Sequence, residues 1–474
     1  MVKNRRVYRL SPSQLSAETI AVTFAKTSRS PKAFDEIAAE LDAEKSAKFS
    51  EKWIAGYGHA SVAEHAVLHL ALENVSRLAI ETIEGNRLAS YTEKSTRYQE
   101  WDADAYVIPP EILNSEYEGL YKETLDRLFN FYTHSITPLR EWAEAGTARM
   151  EGESEKGWEN RARVKAIDVC RFILPAASMA NVGVTMNART LEYAIKKMLS
   201  SELEEVRAAG EEVKTVATQE LPTLVKYATP LHHLDGIKAT FQSISQKSVA
   251  KNEDWCRLLD YDPKGEINVL AALLYRFGNG NFQDCLRQVE QLSQDEQSSL
   301  VDALFTETGD FDVPLRELEY TGYVFEVVMD QGAYFEFKRH RMMSQTPQAL
   351  TARLGFAMPK AFVEVGLAAE YIDTMWQTAL VYELVAAWNP AVASYLVPNA
   401  FNRRILFSLN LRELFHFTRL RCNPNAHFSI RRVGRGMLEK IMPVHPLFTK
   451  HLCVDCSETA DQIADQYFSE LAIH

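Results

Sequence analysis

Cysteine is scarce in this chain: there are 6 in 474 residues, at Cys170, Cys256, Cys285, Cys422, Cys453 and Cys456, scattered rather than spaced as a framework. That usage excludes a disulfide-stapled secreted fold and fits a reduced, cytoplasmic protein. No apolar run reaches the length that spans a bilayer and no secretory signal opens the chain, so no membrane attachment is expected. Net positive charge is also lacking. The formal charge is −12, which argues against nucleic acid or an anionic membrane as partner, because both need a basic surface. There is no Gly-rich dinucleotide fingerprint, no P-loop and no nucleophile elbow. What is present is a soluble globular composition, 46% apolar and 24% charged, in a chain long enough for two or three domains.

The chain carries an internal repeat. When "RFILPAASMANVGVTMNARTLEYAIKKML" is set on "SYLVPNAFNRRILFSLNLRELFHFTRLRC" without a gap, Pro175 falls on Pro398, Asn187 on Asn410, Arg189 on Arg412 and Leu191 on Leu414. Earlier, "YVIPPEIL" falls on "FAMPKAFV", and the opening stretches align around Arg87 and Arg341. Three blocks in the same order predict tandem domains, 1–235 and 236–474, joined in the turn-forming stretch "TPLHHLDG". Each half reads as α+β. A charged helix, "PKAFDEIAAELDAEKSAKFSEKWIAGYG", leads into the extended run "HAVLHLALENV", and "YTGYVFEVVM" is its counterpart. A long amphipathic helix, "ARTLEYAIKKMLSSELEEVRAAGEEVKTVA", closes the first half. The expected fold is two α+β domains, each a mixed or antiparallel sheet packed with long helices.

The stretch "FKRHRMMSQTPQALTAR" places Arg339, His340 and Arg341 side by side after an apolar segment. It is either a solvated charge run or a built anion site. Guanidinium forks suit phosphates and carbonyl-rich heterocycles. Arg412, His416 and Arg421 follow on one helical stretch, and such groups near apolar segments are costly to leave unpaired. Ser95, Thr96 and Arg97 form a hydroxyl-plus-guanidinium cluster suited to a phosphate, or alternatively a helix N-cap. His59, Glu64 and His65 in the loop "GYGHASVAEH" lack a third metal ligand at convincing spacing, and no metal is expected there. His451, Cys453 and Cys456 make half of a zinc site.

"GHASVAEH…VSRLAIETIEGNRLASYTEKSTRY" resembles the pattern of flavin-dependent thymidylate synthases: GHxSxxEH, then SR, then RHRxxSxxxxSxRY. "RHRMMS" is the same element in the second half, and the later blocks resemble the family's nucleotide and flavin segment. The resemblance covers nearly all of both halves, so the chain looks like a tandem duplication of that domain. The departures are complementary. The first half has Gly85-Asn86-Arg87 at the RHR position and Met198 where the second has Arg421, yet it keeps His59, Ser61, Glu93, Ser95, Thr96, Arg97 and Arg171. The second half keeps Arg339, His340, Arg341, Asn410, Arg412, His416 and Arg421, but has "DVPLREL" in place of GHxS and Ser394 in place of Arg171. Family members are homotetramers with active sites shared between subunits. The resemblance therefore implies one composite site, an erased twin, and a homodimer mimicking the tetramer of single domains.

The family's reaction is reductive methylation of dUMP to dTMP, with FAD as cofactor and NADPH and methylenetetrahydrofolate as co-substrates. By resemblance, Arg421 is the catalytic group, stabilising negative charge on the uracil N3/O2 edge. Ser95, Thr96, Arg97 and Arg171 are the phosphate clamp, with Glu93, Glu336 and Arg339 also at the substrate. His59, Ser61, Glu93, Arg339, His340, Arg341, Asn410, Arg412 and His416 are the flavin set. Glu336 and His427 each stand where the family commonly has Gln. The alternatives are a flavoprotein acting on another pyrimidine nucleotide, or a non-catalytic nucleotide-binding descendant. Restoring arginine at Met198 alone is expected to change little.

Overall fold

A computed structural model describes residues 6–51, 60–244, 254–309, 312–452 and 457–469. Two compact units emerge. The first is Met1–Ser95, Ala105–Glu118 and Ala177–Ser248; the second is Thr96–Asp104, Gly119–Ala176 and Val249–His474. Two segments of the first sequence repeat, 96–104 and 119–176, are thus built into the second unit. The helix His233–Ile244 runs across residue 235.

In the first unit β1 (Val67–Ser76), β2 (Ala89–Glu93) and β3 (Met179–Asn187) form an antiparallel sheet of order β1-β3-β2. Ala180, Val182, Val184 and Met186 alternate into the core, as the period of a strand requires. The second unit repeats this topology and adds an edge strand. Here β4 (Cys256–Tyr261), β5 (Gly322–Asp330), β6 (Ser344–Pro347) and β7 (Asn402–Asn410) run in the order β4-β5-β7-β6, again antiparallel. The register repeats too: Ser90 faces Thr185 in one sheet and Ser344 faces Ser408 in the other. The alignment that sets Asn187 on Asn410 also sets Thr185 on Ser408. The architecture is α+β.

Four strand-to-helix turns, two in each sheet at matched places, are made by a capping side chain. Ser76 accepts from the Ala79 amide at 2.9 Å and Asp330 from the Ala333 amide at 2.8 Å, opening the helices Arg77–Ile83 and Gln331–Phe337. Asn187 accepts from the Thr190 amide at 2.9 Å and Asn410 from the Glu413 amide at 2.8 Å, opening Ala188–Leu199 and Leu411–Arg421. The Asn match between repeats is therefore a matched cap. Behind each of these last two helices a glycine permits close approach. A Cβ at Gly210 would lie 2.8 Å from Met198 Cβ, and one at Gly434 would lie 2.7 Å from Cys422 Sγ.

Two expected helices are each broken in two. The charged stretch forms Phe34–Ala39 and Ala43–Ser50, because Asp42 caps the second piece through the Lys45 amide at 2.8 Å. The closing stretch forms Ala188–Leu199 and Glu204–Glu220; Ser201 Oγ accepts from the Leu203 amide at 3.2 Å in the break. In the second unit the core is aromatic. Phe325 stacks on Phe407 at 5.6 Å, and Phe337 sets its edge on Phe407 at 4.6 Å and on Phe417 at 5.6 Å. This packing fixes the helix Gln331–Phe337, which carries Glu336.

Candidate active site in the second unit

The "KRHR" stretch is a turn, neither a helix nor a solvated run. The His340 amide donates to Phe337 O at 3.0 Å and the Arg341 amide to Arg339 O at 3.0 Å, while Gln345 Nε2 holds His340 O at 2.8 Å. Exposure alternates accordingly: Arg339 is exposed, His340 buried and Arg341 intermediate. Opposite, the chain at Arg171 is held by a short antiparallel bridge of Pro175 with Pro398. Asn399 Nδ2 donates to Arg171 O at 2.9 Å there.

A connected polar network joins these elements. Arg171 Nη1 donates to Glu336 Oε1 at 3.0 Å, and Arg421 Nη1 donates to Glu336 Oε2 at 3.0 Å. Arg421 Nε donates to His340 Nε2 at 2.9 Å, and His340 Nδ1 lies 3.2 Å from Glu413 Oε1. Beside them Arg97 grips Asp168 with two bonds of 2.8 Å and donates to Asn425 O at 3.2 Å. Arg171, Glu336 and His340 form the buried floor, while Arg421 and Arg97 keep side-chain exposures of 15% and 17% at the rim.

The donor inventory fixes the protonation states. A guanidinium only donates, so His340 Nε2 accepts and its proton sits on Nδ1, directed to Glu413. Burial, reinforced by Arg421, holds His340 well below the ordinary histidine value, so it is neutral. Burial works to raise Glu336, but Arg171, Arg97 and Arg421 outweigh it and hold the carboxyl below its usual range. Burial raises Asp168, opposed by Arg97 and Arg171; both of its oxygens accept from Arg97 at 2.8 Å, an acceptor-only geometry that fits the carboxylate. His427 is fixed the other way: Nε2–H donates to Asp168 O at 3.0 Å and Nδ1 accepts from the Ser429 amide at 3.1 Å. It caps the helix Phe428–Ile441 and is held neutral by burial.

The matching positions of the other repeat carry no charge. Thr351, Ala391 and Ser394 stand for Arg97, Asp168 and Arg171; Thr82, Asn86 and Met198 stand for Glu336, His340 and Arg421. The charged set exists once.

The remaining candidates fall elsewhere. Asn410 is spent as a cap, and Arg412 is tied to Pro314 O and Glu319, each at 2.8 Å. Arg189 repeats that pairing with Glu64 at 2.5 Å, so the matched arginines anchor the turns that precede the matched strands β1 and β5. His416 is exposed, its ring 5.4 Å from that of His340. In the first unit Ser61 is exposed, Ser95 is half-buried, and Glu93 pairs with Arg77 at 2.8 Å, both side chains buried. Thr96 is buried in a turn that no helix follows, so the Ser95–Arg97 cluster is not an N-cap. His59, Cys453 and Cys456 lie outside the described residues. His451 Nε2 donates to Asp302 Oδ1 at 2.9 Å, and no metal-ligand cluster occurs among the described residues. Sequence reasoning missed Asp168 and Glu413. Asp168 had one signal, a carboxylate one helical turn ahead of Arg171.

The family model described as thymidylate synthase complementing protein matches residues 10–225 and again 257–447. The chain belongs to this flavin-dependent thymidylate synthase family, as a two-repeat member. It is 30% identical to a UPF0159 protein of Chlamydia muridarum, over 89% of this chain and 83% of that one. It is also 30% identical to the flavin-dependent thymidylate synthase of Clostridium tetani, over 45% of this chain and 82% of that one. A solved UMP/dUMP methylase, PolB of Streptomyces cacaoi bound with 5-Br dUMP, aligns over 41% of this chain and 92% of its own, at 16% identity and TM-score 0.34. No helix among the described residues is long and apolar enough to cross a membrane.

Proposed function

We propose that the chain is a cytoplasmic flavin-dependent enzyme that reductively methylates a uracil ring at C5, at one composite site drawn from both repeats. The family's version of this reaction converts dUMP to dTMP with methylenetetrahydrofolate and NADPH. The observation that supports the reading is the single polar network. Arg97, Asp168 and Arg171 come from the first repeat and Glu336, His340 and Arg421 from the second, while every counterpart is neutral.

Arg421 is the candidate catalytic group. Its partly exposed guanidinium is placed to stabilise negative charge developing on the N3/O2 edge of the ring. His340, locked as the Nδ1–H tautomer, holds Arg421 in position and has no proton to give it. The exposed Arg339 and His416, with Arg341, suit a planar, phosphate-bearing cofactor in charge and ring chemistry. FAD would supply the hydride chemistry when bound there. Asn410 and Arg412 are left to the fold. A dimer of such chains would reproduce the four domains of the single-domain tetramer.

The test is transfer of a labelled one-carbon unit from methylenetetrahydrofolate to a uracil substrate with FAD and NADPH present. Arg421→Ala is expected to lower product formation at least about 100-fold. A purified protein that gains no flavin absorbance after FAD is added would sink the reading.

A further inference from the structure

Two long helices begin at matched positions. The alignment that sets "YVIPPEIL" on "FAMPKAFV" also sets Glu118 on Ala368, the first residues of the helices Glu118–Ala145 and Ala368–Trp388. Their buried faces match: Tyr121, Leu125, Leu128 and Tyr132 stand at the places of Tyr371, Met375, Thr378 and Tyr382, all of them buried. Their outward ridges do not match. At every fourth residue one helix carries Lys122, Asp126, Asn130, His134 and Pro138, and the other carries Ile372, Trp376, Leu380, Leu384 and Trp388. The apolar ridge is open, from 36% at Ile372 to 59% at Leu380. The fold does not require apolar residues there, because the sister helix buries the same face with a polar ridge outside. Over its five side chains the open surface is roughly 500 Å² per copy and about 1,000 Å² for a pair, which reaches what a specific interface needs. Trp376 is braced edge-on against Phe356 at 6.0 Å, so one of its two indole anchors is already held in place.

The ridge is complementary to its own reverse. When a second copy is turned about a two-fold axis at Leu380, Trp376 comes opposite Leu384, Ile372 opposite Trp388, and Leu380 opposite itself. Each indole then meets an aliphatic side chain. Glu383 falls opposite Gln377 and Asp373 opposite Ala387, so no carboxylate meets its like; a same-direction pairing would set each acid on its own copy. Ridges of this i, i+4 kind interdigitate at about −50°. We propose that the outward ridge of the helix Ala368–Trp388 is the self-association surface of this protein, joining two copies in an isologous, antiparallel contact centred on Leu380. Because the sister ridge is polar, the contact forms once per chain, and an isologous contact closes at two copies instead of growing. It names the surface of the dimer suggested above and does not depend on the uracil chemistry.

The experiment is sedimentation equilibrium of the full-length protein over a concentration series. The native protein is expected at twice the chain mass. Leu380→Lys sets two ammonium groups against each other at the axis and is expected to raise the dissociation constant at least about 100-fold. Leu380→Asn, which copies Asn130 of the sister helix, is expected to move it in the same direction and keeps the test open should the lysine variant melt early. Trp376→Lys and Leu384→Glu should each weaken the dimer. Combined in one chain they are expected to bind at least about tenfold more tightly than either single variant, because those positions meet across the axis only in the antiparallel pairing. A monomeric native protein, or an oligomer of any size that both Leu380 variants leave intact, overturns the assignment. A double variant no tighter than its singles overturns the antiparallel register. Flavin uptake measured on the same samples reports on the proposed function separately.

Discussion

At the scale of single residues, the decisive feature is that cations and anions of the site come from separate stretches and fit only together. Arg97 and Asp168 show the cost of separating them. Truncating Arg97 would leave Asp168, at 11% side-chain exposure, with no cation in the two-bond position. Arg97→Ala is expected to destabilise the second unit by about 3–5 kcal/mol. The Arg97→Ala, Asp168→Ala double variant should recover part of that loss, because no orphaned charge remains. Denaturant melts of the three proteins decide this, and additive losses would show that the pair is not coupled. The arginines were legible in the sequence because planar, multi-donor groups in a spaced pattern have few structural uses. Asp168 was not, because a carboxylate in a helix reads as part of a solvated face until the fold turns it inward. Glu336 was visible as a misfit beside the cations; that it bridges two of them belongs to the fold alone.

At the scale of elements, the repeat is a repeat of caps. Asn410 illustrates how a residue placed in the flavin set by resemblance has a local duty that the structure supplies. Asn410→Ala is expected to lose about 1 kcal/mol through the helix Leu411–Arg421, and Asn410→Asp to lose much less, since aspartate accepts the same amide bond. A collapse of flavin affinity in Asn410→Asp with stability intact would show a direct contact instead. Met198 adds a cost in stability to the substitution that was weighed above for its function. It is 2% exposed where two helices meet over Gly210, so Met198→Arg would force a charge and added bulk into a closed contact. A loss of about 2 kcal/mol or more is expected in a thermal melt, rather than a silent change.

His427 gives this element scale a pH dependence. His427 and His340 are held well below the ordinary histidine value by burial, and His445 is lowered by burial as well. Their contribution is complete above pH ~6.5, the unfolded value, and is lost as pH falls, because the unfolded chain takes up protons that the folded one refuses. Each fully neutral histidine costs up to about 1.4 kcal/mol per pH unit below that point. Glu413 and Asp330, raised by burial, act in the opposite sense at lower pH. His427→Gln keeps both bonds, donating to Asp168 O and accepting from the Ser429 amide, without a titrating group. Melting temperature measured between pH 7.5 and 5.5 should fall less steeply in this variant than in the native protein. An unchanged slope would assign the acid sensitivity to other groups.

At the scale of the whole molecule, the sequence repeats and the compact units are cut differently. The resemblance between halves is strong because capping residues and strand registers repeat, and those are local. The partition of segments 96–104 and 119–176 into the second unit is set by packing that no single half contains. Phe172 lies 5.8 Å from Phe428 and 6.1 Å from Phe468, and Phe131 lies 5.8 Å from Phe362. Arg97, Asp168 and Arg171 travel with these segments. A fragment 236–474 therefore begins life with an exposed apolar face at Phe362, Phe428 and Phe468, and with Glu336 answered by Arg421 alone. Loss of even a few buried aromatic contacts, at about 1.5–3 kcal/mol each, is comparable to the whole stability of a domain. The fragment is expected to aggregate or to melt without a cooperative transition, and to bind no pyrimidine. Co-expression with 1–235 should restore both a cooperative melt and ligand binding, because the two pieces together hold every member of the network. A fragment 236–474 that folds cooperatively and turns over substrate by itself would mean that Arg97, Asp168 and Arg171 are dispensable, and that the network joining the two repeats is a consequence of the duplication and not its use.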